Sequence, residues 1–300
     1  VPPEAGTVVA SFGRRCLIED AQGTRHRAIP RGKRLRIVCG DEVSWVPGQQ
    51  SGDDGLVIDV LPRRNALERP NMRGRNEVLA ANLTRIVVLV APTPPPDPFL
   101  IDRYLAQAEL MGCEAIIVRS KLDLPAEAPL QRALEEWAAA GYTVLEVAAR
   151  GGDGIEVLSS RLEHGVSILV GQSGVGKSSL LNALSPSLEL ATGALSDSSG
   201  EGRHTTTAAV RHTLANGGHV IDSPGVRDYA PGLVAPRDVA RGYREINALA
   251  AHCRFADCMH LKEPDCAVRQ ATDRGRIAPR RYESYRRLVR LMETLPPTPR

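Results

Sequence analysis

The chain has 300 residues, of which 42% are hydrophobic, 24% charged and 4% aromatic, and a formal net charge of +3. That composition excludes a disordered or fibrous protein and leaves room for two or three domains. No apolar run approaches the roughly 18–20 residues of a membrane helix, the best stretch, Ile86 to Ala91, ending at Pro92. The start, Val1-Pro2-Pro3-Glu4, has neither the basic opening nor the apolar core of a signal peptide, so a cytoplasmic protein without a membrane partner is expected. The charge is unevenly spread: residues 1–75 carry +4, residues 76–236 carry −7 and residues 237–300 carry +6. Two basic ends around an acidic centre point to ends that meet a polyanion; the alternative is a chance excess of solvated arginine. Only four of the 38 basic residues are lysine, namely Lys33, Lys121, Lys177 and Lys262. In so Arg-rich a background, a retained lysine suggests a place where a compact ammonium is needed.

The first 65 or so residues read as short β segments: Thr7 to Ala10, Arg15 to Ile18, Leu35 to Val38, Glu42 to Val46 and Gly55 to Val60. Gly, Asp and Pro clusters separate them at short spacing, as in a small barrel. The basic run Arg25, His26, Arg27, Arg31, Lys33, Arg34 and Arg36 is expected in and beside the loops of that barrel. With only Phe12 and Trp45 as aromatics, such a barrel suits phosphate contacts to folded RNA better than stacking on unpaired bases.

From about residue 76 apolar strands alternate with helical stretches, the pattern of a mostly parallel sheet covered on both faces. Strands are predicted at Arg85 to Val90, Glu114 to Val118, Thr143 to Val147, Val166 to Val170 and Gly218 to Asp222, and helices at Phe99 to Met111 and Leu130 to Ala140. The last 64 residues are Arg-rich and end in a predicted helix over Pro279 to Leu295.

Gly171-Gln172-Ser173-Gly174-Val175-Gly176-Lys177-Ser178 matches the phosphate-loop pattern G-x-x-x-x-G-K-[ST], directly after an apolar strand and directly before the helix-like Ser179 to Leu184. Glycines let successive N–H groups turn inward around phosphate, and the helix N-terminus adds its dipole. Lys177 reaches the β- and γ-phosphates, and Ser178 can ligate Mg²⁺. After the strand Glu114 to Val118, Ser120-Lys121-Leu122-Asp123 resembles the N-K-x-D guanine motif. Its carboxylate accepts from the guanine N1–H and exocyclic amine while the lysine stem covers the ring. Ser120 stands where Asn is usual, a shorter hydroxyl in place of an amide that braces the phosphate loop. Asp222-Ser223-Pro224-Gly225 reads as D-x-x-G, its carboxylate on the Mg²⁺ side and its Gly225 N–H on the γ-phosphate. Between them Gly202-Arg203-His204-Thr205-Thr206-Thr207 reads as a switch, with Thr206 first and Thr205 next as the hydroxyl that completes the Mg²⁺ shell.

The guanine motif precedes the phosphate loop by about 50 residues, the reverse of an ordinary small GTPase, so the domain is circularly permuted and its second switch runs straight into the C-terminal segment. Val226 follows Gly225 where a water-orienting Gln is typical, which leaves His204 as the nearest candidate for that role; the alternative makes it a solvated loop residue. Cys16, Cys39 and Cys113 are scattered singly and read as buried thiols. Cys253, Cys258, His260 and Cys266 form a Cys₃His set within 14 residues, in a segment that looks too small to own much core. A closed structural zinc site explains them; a disulfide with a spare thiol is the alternative.

Taken together these words resemble the circularly permuted ribosome-assembly GTPases. They include Arg69-Pro70, Ala80-Ala81-Asn82, the loop from Gly171 to Leu180 with Ser179, Gly202 to Thr207, Asp222 to Gly225 and the four metal ligands. The resemblance implies three domains: an N-terminal OB-fold barrel (1–68), a central α/β permuted GTPase (76–236) and a mainly helical zinc domain (237–300). It also implies binding to 16S rRNA in the 30S subunit during late maturation, stimulation of GTP hydrolysis by that subunit, and a catalytic role for His204. Glu201, before Gly202, stands where Lys is common in that family. A GTPase that uses Mg²⁺ and carries one structural Zn²⁺, monomeric and without a DNA partner, is the leading expectation. A GTP-gated RNA-binding checkpoint protein with incidental turnover is the alternative that Val226 keeps open.

Overall fold

The computed structural model describes residues 2–13, 15–32, 34–48, 50, 53–70, 76–185, 209–222, 232 and 234–295. Five strands, β1 (Glu4–Phe12), β2 (Arg15–Glu19), β3 (Arg25–Pro30), β4 (Glu42–Val46) and β5 (Gly55–Val60), pair in the order β1-β2-β3-β5-β4. Strand β4 returns to β1 through Glu4↔Trp45 and Gly6↔Val43, which closes a barrel of the OB order. The period-2 pattern puts Val8, Cys16, Ile18, Ala28, Val43, Trp45 and Val57 inside.

Two expectations are corrected here. The run Arg25 to Arg27 belongs to strand β3 rather than to a loop; the inward positions there are His26, Ala28 and Pro30, so the strand carries almost no apolar signal. Leu35 to Val38, predicted as a strand, is irregular. The buried carboxylate of Asp41 accepts the Val38 N–H at 2.9 Å and two N–H groups of Arg63 at 2.6 and 2.9 Å, while Ser11 Oγ donates to the Ile37 carbonyl. Backbone groups satisfied by side chains have no need of a ladder.

A two-stranded sheet, β6 (Ala66–Pro70) with β7 (Asn76–Ala81), follows the barrel and was not anticipated. Then come β8 (Arg85–Val90), α1 (Pro98–Met111), β9 (Glu114–Arg119), α2 (Ala128–Ala139), β10 (Thr143–Glu146), α3 (Ile155–Arg161), β11 (Val166–Val170), α4 (Lys177–Leu184), β12 (Ala209–Thr213) and β13 (His219–Asp222). Their strand order is β10-β9-β8-β11-β13-β12, parallel except for β12. Alternate residues of β8 face opposite layers. Ile86, Val88 and Val90 pack with Ile101, Tyr104 and Trp137 of α1 and α2, whereas Val87 and Leu89 pack with Leu158, Leu180 and Leu184 of α3 and α4. Barrel and α/β unit share one sheet, because β12 also pairs with β1 through Ala10↔Val210 and Ser11↔Ala209. Asn82 reinforces the joint: it is buried, its amide donates to the Gly40 carbonyl at 2.9 Å, and its oxygen accepts the Arg64 N–H at 2.9 Å.

The C-terminal segment forms a 3₁₀ helix (Pro236–Gly242) and helices α5 (Arg244–Ala250), α6 (Ala267–Asp273) and α7 (Pro279–Thr294). Contrary to the expectation of little core, Val239, Tyr243, Ile246, Val268, Ile277, Tyr285, Leu288, Val289 and Met292 bury a cluster that includes Ala106 of α1. Gly242 permits that contact: a Cβ there would lie 2.9 Å from Ala106 Cβ. Fully buried Asp102 of α1 receives Arg281 at 2.7 Å, Arg280 at 2.7 Å and the Trp137 indole at 2.7 Å, while Arg281 also pairs with Glu245 at 2.7 Å and Arg280 with Glu136. Removing one partner of such a network strands buried charge. Asp102→Ala is therefore expected to cost about 3–5 kcal/mol of stability, read by urea unfolding with Trp137 fluorescence as the probe.

Candidate functional site

The carboxyl ends of β8, β9, β11 and β13 form one edge. From β8 the chain proceeds outward to β9 and β10; from β11 it crosses to β13 on the other side. The β8–β11 boundary is thus a topological switch point, where open parallel sheets bind ligands.

The phosphate loop leaves β11 there. Gly171 has φ +137° and lies so close to β8 that a Cβ would meet the Leu89 carbonyl oxygen at 2.5 Å. Val175 is buried and anchors the loop, while Ser173, Gly174, Ser178 and Ser179 are exposed. Gly176, left-handed at φ +99°, opens α4, and no side chain caps that helix. The N-terminus of a helix that opens this way directs its N–H groups and dipole toward the loop, where anions bind. Lys177 Nζ donates to the carbonyls of Gly171 at 2.6 Å and Gln172 at 2.7 Å, which holds the ammonium over the loop.

Ser120, buried at the end of β9, binds the loop from the other side. Its Oγ donates to the Val175 carbonyl at 2.6 Å, and its N–H donates to the Val90 carbonyl at 2.8 Å. The short hydroxyl therefore reaches the phosphate loop from the position where an amide is usual. Lys121 sits at φ +57° with Nζ donating to the Thr93 carbonyl at 2.7 Å, and the Leu124 N–H to Lys121 carbonyl bond at 2.9 Å closes a turn that exposes Asp123. Asp222 ends β13 in register with Leu169, two residues before the phosphate loop, and is half-buried. The structure thus brings Ser120, Lys121, Asp123, Gly171 to Ser179 and Asp222 to one edge. His204, Thr205, Thr206 and Gly225 lie outside the described residues.

Arg119 is a contributor that sequence reading missed. Its guanidinium donates to Glu146 at 2.6 Å and to the Leu124 carbonyl at 3.2 Å, fixing the turn that carries Asp123 to β10. A basic residue at the strand end, immediately before Ser120, was the available signal.

Cys253, Cys258, His260 and Cys266 bring their ligand atoms within 4.8 Å of one another. Cys253 and Cys266 sulfurs are 3.9 Å apart, and His260 Nδ1 lies 3.4 and 3.5 Å from them. Bonds of about 2.3 Å in a tetrahedron give sulfur separations of about 3.8 Å, against about 2.05 Å in a disulfide. The six cysteines are free, so the donor set fits a tetrahedral thiophilic cation. Burial pushes the Cys258 thiol up to about 12, a penalty on the thiolate that a bound dication would offset. Beneath the ligands Glu263 accepts the N–H groups of Met259 (2.9 Å), Leu261 (2.8 Å) and Lys262 (2.9 Å). Burial alone would raise its carboxyl; the backbone donors more than offset that and hold it down at about 2. Tyr282 and Tyr285 of α7 donate to the carbonyls of His260 at 2.6 Å and Met259 at 2.5 Å, tying the metal loop to the helix.

The brace at Ser120 has a measurable consequence. Ser120→Ala removes one net hydrogen bond worth about 0.5–1.5 kcal/mol, so guanine-nucleotide affinity is expected to fall about two- to tenfold, read by fluorescence anisotropy of labelled GDP.

Comparison with known proteins agrees with this geometry. Residues 60–231 match the model of the RsgA GTPase family. The chain is 44% identical over 295 residues to a protein of Azotobacter vinelandii named small ribosomal subunit biogenesis GTPase RsgA, covering 96% of this chain and 85% of that one. It is 42% identical over 294 residues to a Pseudomonas aeruginosa protein of the same name, covering 97% and 86%. The crystal structure of YjeQ from Thermotoga maritima superposes with a TM-score of 0.77 at 31% identity, covering 97% of this chain and 99% of that one. YloQ, described as a circularly permuted GTPase, shares the fold with a TM-score of 0.74 at 24% identity, covering 99% and 97%. A phosphate loop and a guanine-type turn meeting at the switch point of a permuted sheet, with relatives of this kind along nearly its whole length, make the chain a GTP-hydrolysing enzyme that belongs to the RsgA GTPase family.

Proposed function

We propose that this GTPase acts in small ribosomal subunit biogenesis: it binds the 30S subunit through 16S rRNA in its GTP form and leaves after hydrolysing GTP to GDP and phosphate. The observation that carries this reading is the convergence of Gly171 to Ser178, Ser120 to Asp123 and Asp222 on one sheet edge, in a chain with a basic run from Arg25 to Arg36 in its barrel, a basic C-terminal segment, and curated relatives that bear that function in their names. Outward-facing Arg25 and Arg27 on β3 suit phosphate contacts to folded RNA.

Within the site, the Asp123 carboxylate accepts from the guanine N1–H and exocyclic amine, a donor pair that adenine lacks, and the Lys121 stem covers the ring. The N–H groups of the phosphate loop, the α4 N-terminus and the Lys177 ammonium hold the phosphates, with the Gly225 N–H on the γ-phosphate. Ser178 and Asp222, with Thr206 or its neighbour Thr205, hold Mg²⁺, which when bound neutralises charge developing on the phosphate oxygens. Val226 has no polar group to orient water, so His204 takes that role. Cys253, Cys258, His260 and Cys266 hold one structural Zn²⁺, and elemental analysis returning no zinc in the purified protein contradicts it. Among the described residues no helix is long and apolar enough to cross a membrane. A cytoplasmic monomer that takes up GTP and meets the subunit there completes the reading.

Steady-state hydrolysis of GTP by the protein alone, with 30S subunits and with 50S subunits tests it. Turnover is expected to rise at least tenfold with 30S only, and His204→Ala is expected to abolish that rise. Turnover unmoved by 30S subunits, with affinity for them still dependent on nucleotide, favours the GTP-gated RNA-binding alternative.

A further inference from the structure

Helix α7 of the C-terminal layer reaches the nucleotide edge by a route that the established activity does not use. The side-chain oxygen of Gln172, second residue of the phosphate loop, accepts the backbone N–H of Asp97 at 3.3 Å. Asp97 is the N-cap of α1, its carboxylate accepting the Phe99 N–H at 2.9 Å. The Phe99 ring, half-buried, is covered by the guanidinium of Arg287 from α7, 3.7 Å from the ring centroid. Arg287 is itself aimed by Glu283, one turn earlier on α7, at 3.3 Å.

Docking of α7 does not require this contact. The buried pairs of Arg280 and Arg281 with Asp102 already fix the helix on α1, and Tyr282 and Tyr285 fix it on the metal loop. Arg287 is half-exposed and touches the first turn of α1, next to the Asp97 N–H that donates to the Gln172 side chain of the phosphate loop. The preceding segment, Thr93 to Pro98, has four prolines and little freedom of its own, and Pro94 packs near Gly174 on the same loop.

We propose that Arg287 and Phe99 are positioning residues for the phosphate loop: the stacked guanidinium holds the first turn of α1, the Asp97 N–H held with it fixes the Gln172 side chain, and the loop's entry is pre-shaped for phosphate. The proposal rests on the reading of Gly171 to Ser178 as the phosphate loop. A loop ordered before the ligand arrives loses less freedom on binding, so the contact appears as nucleotide affinity. By linkage, nucleotide strengthens the seating of α7 by the same factor.

The test is the dissociation constant of fluorescent GDP for the full chain and for Arg287→Ala, Arg287→Lys, Gln172→Ala and the double variant Gln172→Ala with Arg287→Ala. A half-exposed cation over an aromatic ring is worth about two- to fivefold in an equilibrium constant. Arg287→Ala is expected to weaken GDP binding by that factor, Arg287→Lys, which keeps the cation, to recover most of it, and Arg287→Ala to add nothing in the Gln172→Ala background. Equal affinity of wild type and Arg287→Ala, no recovery with lysine, or the full loss repeated in the Gln172→Ala background each overturns the proposal. A wild-type protein that binds no GDP overturns the phosphate-loop reading instead.

Discussion

The pairing of β8 with β11 is the constraint on which the site depends. In register Ile168↔Ile86 and Val170↔Val88, it joins the half of the sheet that carries the guanine-type turn to the half that carries the phosphate loop. The two halves occur in permuted order along the chain, yet hydrogen bonding across this seam leaves Gly171 against Leu89 and brings Ser120 within reach of both Val90 and Val175. A slip of one residue would turn every side chain of β8 to the wrong helical layer, because Ile86, Val88 and Val90 belong to one core and Val87 and Leu89 to the other. Burial on both faces of the sheet therefore fixes the geometry of a site whose Ser173, Gly174, Ser178 and Asp123 are themselves exposed.

The same economy of contacts explains the arginine bias. Arg63 serves Asp41 and the Arg36 carbonyl, Arg211 joins β12 to Glu19 of the barrel at 2.5 Å, and Arg244 spans Glu109 and the Gly141 carbonyl while lying over Tyr142. Arg281 satisfies two carboxylates and also faces Tyr243. These are tasks for a planar fork with several donors. The lysines of the site do something different: the Lys121 and Lys177 ammonium groups converge on backbone carbonyls, as point donors can. The positive charge of residues 237–300 is accordingly not all available to a polyanion, since Arg244, Arg280 and Arg281 are spent inside the protein.

Much of the central unit was legible because its signals are strong and local. A run such as Arg85 to Val90 is too apolar and too short to be anything but a buried strand once Pro92 follows, and a phosphate loop between a strand and a helix names its own context. The Cys₃His spacing likewise foretold a cluster that the fold closes. What escaped was decided by long-range partners. Strand β3 is mostly arginine on its outer face and became a strand because β2 and β5 flank it. Leu35 to Val38 looked like a strand, but the Asp41 carboxylate took its backbone donor. The C-terminal core was hidden because Arg280 and Arg281 belong to a basic end expected to meet a polyanion, whereas Asp102, far off in sequence, pairs with both and holds them against α1.

On the proposed reading, a guanine base is recognised by Asp123, which the turn at Lys121, fixed by Arg119 through the Leu124 carbonyl, places on this edge. Guanine offers the carboxylate two donors; xanthine offers one donor and one carbonyl acceptor, which an amide matches. The direct measurement is the affinity of wild type and Asp123→Asn for GDP, XDP and ADP by titration calorimetry. The wild type is expected to prefer GDP over both others, and Asp123→Asn to shift the preference to XDP. A wild type that binds ADP as well as GDP, or an Asp123→Asn variant whose preference for GDP is unchanged, would contradict it.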